Sequence, residues 1–153
     1  MGIKMVATNK GARRNYEILE TFEAGIVLRG SEVKSLRESK VTISDAYARF
    51  ENRELWVVSL HIAAYTRAST HVRTDTSRRR KLLLHRRELD RLYPKVEQDH
   101  LNLVPMALYF NKDNRAKLEI GLGRGKKLVD KRQTIAKRDS DREARRELEY
   151  RSR

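Results

Sequence analysis

The residues best equipped for chemistry are four histidines, His61, His71, His85 and His100, and their spacing matches no metal-binding or nucleophile-activating pattern. There is no His-Glu-x-x-His pair, no histidine with a Cys-x-x-Cys partner and no Gly-x-Ser-x-Gly elbow. The chain has no cysteine, which excludes a disulfide framework and a thiolate metal site and is compatible with a reducing cytoplasm. Gly121-Leu122-Gly123-Arg124-Gly125-Lys126-Lys127 invites a phosphate-cradle reading. It lacks the leading glycine of a P-loop, and Lys127 stands where a serine or threonine should hold magnesium. It reads instead as a flexible exit from a last strand. The carboxylates Glu23, Glu32 and Asp45 fall on different predicted elements, so no acid–base pair is specified. These absences point away from an enzyme and from any metal or cofactor.

Charge points elsewhere. Thirty-five Lys and Arg against 21 Asp and Glu give a formal net charge of +14, a field that attracts polyanions. The basic clusters sit in an N-terminal arm around Asn9-Lys10-Gly11-Ala12-Arg13-Arg14, in a stretch ending Arg78-Arg79-Arg80-Lys81, and in the C-terminal segment. Folding is expected to need them least there, which favours an RNA partner bound through its backbone. A membrane is disfavoured: no apolar run approaches a span, no secretory segment appears, and the sixth residue, Val6, does not suit a myristoylation signal. One Trp, three Phe and six Tyr are available for stacking, and most suit strand interiors. Shape and backbone recognition are therefore expected over single-strand base reading. Within such an interface a carboxylate can accept from a 2′-hydroxyl or a base amino group, which keeps Glu23 as a candidate contact.

The elements that must position these residues are mostly strands. Tyr16, Ile18, Phe22, Ala24, Ile26 and Leu28 keep to even positions, the period of a strand. Gly30-Ser31 opens a short helix over 32–37 with Ser31 as its N-cap. Runs 43–50 and 55–62 form a hairpin about Glu51-Asn52-Arg53-Glu54, and runs 101–110 and 116–122 form another about Asn111-Lys112-Asp113-Asn114-Arg115. Between them lie a long basic loop over 64–80 and a helix over 85–98 that Pro94 interrupts or ends. The fold class is mainly β: an antiparallel OB-like barrel with a few peripheral helices, since closure removes exposed strand edges. A half-open sheet with helices on one face is the alternative. The barrel spans 1–123, and 124–153 is a basic tail with twelve basic residues against six acidic ones. Ala144 and Leu148 offer too small an apolar side to hold a helix on the body, so the tail is expected to be disordered when free and helical on binding.

These residues resemble a particular family, small protein B, the tmRNA-binding (SsrA-binding) proteins of bacterial trans-translation. The likeness runs from Asn9 to Arg132 in seven ordered pieces: Asn9-Lys10 with Ala12 and Tyr16; Phe22-Glu23-Ala24-Gly25; Gly30 to Arg37; Ile43 to Tyr47; Ser69-Thr70-His71; Arg80 to Leu84 with Arg87-Glu88-Leu89; and Gly125 to Leu128 followed by Asp130-Lys131-Arg132. The resemblance implies an OB-related barrel that binds the elbow of the tRNA-like domain of tmRNA and helps deliver it to stalled ribosomes. By position it implies RNA contacts from Asn9, Lys10, Glu23, Leu83 and Lys117. It implies a ribosome-engaging tail at Gly125, Lys126, Lys127, Asp130, Lys131 and Arg132, which meets the decoding centre and the mRNA channel. The tRNA-delivering elongation GTPase would join through tmRNA, and the chain would act as a cytoplasmic monomer. Two positions depart from the family pattern: Gly11, where relatives often carry a basic residue, and Val129, where they often carry Tyr or His. A ribosomal or other structural RNA-binding protein is the competing reading on charge alone.

Overall fold

The computed structural model describes residues 3–65 and 75–126, with Arg138, Arg142 and Arg145 described individually. Its elements in chain order are β1 (Lys4–Thr8), α1 (Ala12–Asn15), β2 (Tyr16–Ile26), α2 (Gly30–Arg37), β3 (Val41–Thr42), β4 (Tyr47–Glu51), β5 (Glu54–Val58), β6 (His61–Ile62), β7 (Arg80–Leu83), α3 (Arg86–Glu97), β8 (Asn102–Phe110) and β9 (Ala116–Gly125). Successive antiparallel pairings link β8, β4, β5, β7, β2 and β9, and β9 pairs back to β8. The ring is closed. It is a small mainly β barrel with three helices among the described residues, in line with the OB-like expectation.

Closure follows from alternation. Ala24 and Ile26 of β2, Leu82 of β7, Leu55 and Val57 of β5 and Leu118, Ile120 and Leu122 of β9 all turn into one core. Leu36 of α2 and Leu92 of α3, both fully buried, join it. Helix α3 is also held electrostatically, because Arg91 and Lys95 both reach Glu20 on β2, at 2.7 and 3.3 Å. The Arg91 hydrogen bond, aided by Lys95, lowers the Glu20 pKa against the opposing pull of burial.

Strand β8 carries three neighbours. It pairs with β9 along its length, with β4 at Leu103, and with β1 from Ala107 to Phe110. Pro105 cannot donate to a ladder, and it sits where the β8–β9 register slips between Pro105 and Ala107. Its carbonyl is used instead: Asn9 donates its side-chain amide to the Pro105 oxygen at 3.0 Å and its backbone N–H to the Met106 oxygen at 2.8 Å. Asn9 thus fastens the N-terminal arm across the bulge.

Several expectations change in detail. The elements β1, α1 and the β3–β6 pair are too short to stand out as periodic segments. The first long helix starts at Gly30, and its end is capped by Glu32, which accepts the Arg29 N–H at 2.8 Å, rather than by Ser31. Pro94 lies inside α3, which continues to Glu97. The 51–54 turn has Asn52 and Arg53 both at positive φ, 50° and 61°, the twist that suits a two-residue hairpin. The glycine-rich segment is no flexible exit, since Gly121, Gly123 and Gly125 lie in β9 opposite Thr21, Ile18 and Tyr16. A Cβ at Gly123 would stand 2.5 Å from the Glu17 carbonyl oxygen, so only glycine allows this close strand contact.

The largest correction concerns Arg78-Arg79-Arg80-Lys81. Arg80 and Lys81 are strand residues, and Arg80 is fully buried. Its guanidinium donates to Glu32 Oε2 at 2.7 Å and to the carbonyls of Leu60, Arg78 and Thr76 at 2.6, 3.0 and 3.2 Å. Arg78 also pairs with Glu32. Arg79 pairs with Glu51 and stacks over Trp56, 4.4 Å from the ring centroid, and Lys81 pairs with Glu54 at 3.3 Å. All four have a carboxylate partner in the fold.

Candidate RNA-binding surface

The expected contact residues fall on two parts of the barrel. Glu23 on β2, Leu83 on β7 and Lys117 on β9 line one depression of about 410 Å³, with Gly25, with Leu84 and His85 just before α3, and with Glu88 in its first turn. Register explains the meeting: Gly25 opposes both Leu83 and Lys117, and Glu23 lies two residues earlier on the same outward face of β2. Leu83 is 52% exposed, unusual for a leucine in a strand that buries Leu82 beside it. Gly25 keeps the space beside it open, since a Cβ there would come within 3.3 Å of the Leu83 Cβ. The depression therefore joins an apolar platform, a cation and a carboxylate.

Glu23 is exposed on the solvent side, yet one of its oxygens is engaged by the Tyr109 hydroxyl, which donates to it. Burial, then the hydrogen bond to Glu23, then the charges of Glu23 and Glu119 raise the Tyr109 pKa above its ordinary 10.0, so the phenol stays a donor. Sequence reasoning puts the tyrosines in strand interiors and misses this one. The available signal is its position: Tyr109 and Lys117 lie symmetrically about the 111–115 turn, so a hairpin must pair them.

Asn9 and Lys10 lie elsewhere. They line a larger cavity of about 970 Å³ together with Gly125 and Lys126, where the arm, α1, β4 and the end of β9 come together. Two of the expected tail residues thus share a site with two of the expected RNA contacts. The Lys126 N–H donates to the Asn15 carbonyl at 2.9 Å, which carries the chain past the end of β9. Gly11, one of the two departures, precedes α1 as its N-cap residue. Lys127, Asp130, Lys131 and Arg132 lie outside the described residues, as do Val129 and His71. The expectation of a tail that folds on binding also falls there, apart from Arg138, Arg142 and Arg145, which have helical backbone and are exposed. Among the described residues no group of histidines and carboxylates could hold a metal ion, and no helix is long and apolar enough to cross a membrane.

A sequence model of the SmpB protein family matches residues 6–150, nearly the whole chain. The chain belongs to the SmpB protein family. Its SmpB relatives include the SsrA-binding protein of Oleidesulfovibrio alaskensis, 55% identical over 147 residues that cover 96% of this chain and 94% of that one. The SsrA-binding protein of Mycolicibacterium smegmatis is 50% identical, covering 95% of this chain and 89% of the relative. A solved SmpB structure, described as "tmRNA-SmpB: a journey to the center of the bacterial ribosome", superposes with a TM-score of 0.66 at 50% identity. It covers 84% of this chain and 93% of that one.

Proposed function

We propose that this protein binds the tRNA-like domain of tmRNA and helps deliver it to stalled ribosomes for trans-translation, acting as a binding protein and not as an enzyme. The observation that carries the reading is the convergence of Glu23, Leu83 and Lys117 from three strands onto one depression, in a chain of the SmpB family. Each supplies something RNA recognition uses. Leu83 offers an apolar contact for an unstacked base, Lys117 a cation for a phosphate, and Glu23 an acceptor for a 2′-hydroxyl or base amino group. Asn9 donates its side-chain amide to the Pro105 oxygen, which fixes the arm from which Asn9 and Lys10 contact the RNA. Gly125, Lys126, Lys127, Asp130, Lys131 and Arg132 then lead the basic tail to the ribosome's decoding centre and mRNA channel. The tRNA-delivering GTPase is engaged through tmRNA, and the work is cytoplasmic.

The test separates recognition from accommodation. Glu23→Ala should weaken binding to the isolated tRNA-like domain by ~1–3 kcal/mol without changing thermal stability, as expected for one specific polar contact. Truncation after Lys126 spares β9 and should leave that affinity near wild type while abolishing peptide tagging on stalled ribosomes. Equal affinity for the tRNA-like domain and for ribosomal RNA fragments would favour a general structural RNA binder instead.

A further inference from the structure

One register line crosses five strands on the outer face of the barrel. Met5 opposes Tyr109, Tyr109 opposes Lys117, Lys117 opposes Gly25, and Gly25 opposes Leu83. Directly opposed residues of an antiparallel ladder share a face, so Tyr109 stands in the same row as Lys117 and Leu83. In the neighbouring row Glu23 is directly opposed to Glu119. Two like charges placed this way repel one another and also repel any approaching phosphate. The ligand group welcome at Glu23 itself is a hydrogen-bond donor, while an anion is left to Lys117 in the next row. The Tyr109 hydroxyl already donates to Glu23 Oε2 and so relieves part of the carboxylate crowding. Tyr109 is only 7% exposed and is held by packing, which makes it a fixed anchor beside an exposed glutamate.

We infer that Tyr109 is a positioning residue for RNA recognition: its hydroxyl holds one oxygen of Glu23 and thereby turns the other toward an incoming ribose 2′-hydroxyl or base amino group. This rests on the reading of Glu23 as an RNA contact. A glutamate side chain free on a strand surface samples many rotamers, and an RNA donor would have to overcome that freedom on binding. Anchoring by Tyr109 removes most of it beforehand. The Tyr109–Glu23 pair is thus a preorganised acceptor set in an otherwise cationic protein, placed to distinguish RNA from a mere polyanion.

Tyr109→Phe keeps the packed ring and deletes only the donor. Its affinity for the tRNA-like domain should fall about five- to ten-fold, the scale of one ordinary net hydrogen bond, because the effect reaches the RNA through Glu23. The slope of log affinity against log salt should stay at the wild-type value, because this contact releases no counterion. In a Glu23→Ala background, Tyr109→Phe should have no further effect, since its influence passes through that carboxylate. Wild-type affinity for Tyr109→Phe alongside an impaired Glu23→Ala would overturn the positioning role and leave Glu23 as a contact. Additive losses in the double variant would also overturn it, by showing that the hydroxyl acts through the fold. If Glu23→Ala itself binds normally, the recognition reading of Glu23 fails and the role of Tyr109 falls with it.

Discussion

Strand β7 belongs to two regions that use charge in opposite ways. At its start Arg80 and Lys81, with Arg78 and Arg79 just before, all have carboxylate partners, and Glu32 takes two of the four. At its end Leu83 borders a depression where Lys117 has no ion pair among the described residues and the partner of Glu23 is a neutral phenol. The 78–81 cluster is strongly cationic in the sequence and nearly neutralised in the fold. The Glu23 depression has no charge run to announce it, and it keeps its polar groups available. Net charge therefore overstates the surface offered to RNA, and the pairing of each charge decides which basic residues remain for it.

The sharpest way to break this contrast is Glu32→Gln. The substitution leaves the Arg80 guanidinium buried without its counter-charge, and removal of one partner of a buried pair costs about 3–5 kcal/mol. Chemical denaturation should show that loss, with RNA affinity of the folded fraction unchanged. The difference should also depend on pH. Burial pushes the Glu32 carboxyl up, but hydrogen bonds from Arg78, the Arg29 N–H and Arg80 outweigh it and hold its pKa below the ordinary 4.5. The ion pair therefore contributes fully above about pH 4.5, and its contribution is lost as pH falls through the lower folded value. Wild type and Glu32→Gln should converge in stability on acidification, and a constant gap down to low pH would show that the carboxylate charge contributes nothing.

A smaller effect is expected from the other region. Lys117→Ala should lower affinity for the tRNA-like domain by about 1 kcal/mol and reduce the salt slope by about 1, with the melting temperature unmoved. A loss of stability instead would assign Lys117 to the fold. Smallest of all is Arg79→Ala. Its side chain is half exposed in the pair with Glu51, and such pairs contribute about 0–1 kcal/mol. Neither stability nor RNA affinity should move beyond that, and a large fall in affinity would return the 78–81 cluster to the RNA interface.

The parts legible in the sequence are those whose signal is local. The even-numbered apolar residues of β2, the Asn52-Arg53 turn and the symmetric 101–122 hairpin each carry their pattern within a short stretch of chain. Arg80 defeats such reading because its carboxylate lies 48 positions away, and nothing near either residue says that they meet. Gly121 and Gly123 mislead for a related reason: glycine usually punctuates a strand, and here it lets β2 press close. For the site, Glu23, Leu83 and Lys117 come from family resemblance, while their adjacency comes from the register of three strands that are distant in sequence. Tyr109 is hidden because a tyrosine in an apolar strand resembles core, and its hydroxyl becomes informative only once Glu23 is seen beside it.

The ladder between β2 and β9 has a consequence of its own. It begins with Tyr16 opposite Gly125 and ends with Gly25 opposite Lys117. Residue steps of about 3.3 Å make it a bar of roughly 30 Å, with the departure of the tail at one end and the Glu23 depression at the other. Its hydrogen bonds and the core beneath resist stretching, so the bar keeps its length. The Glu23 depression is thereby held a set distance from the point where β9 ends, and that spacing is written into the length of two paired strands.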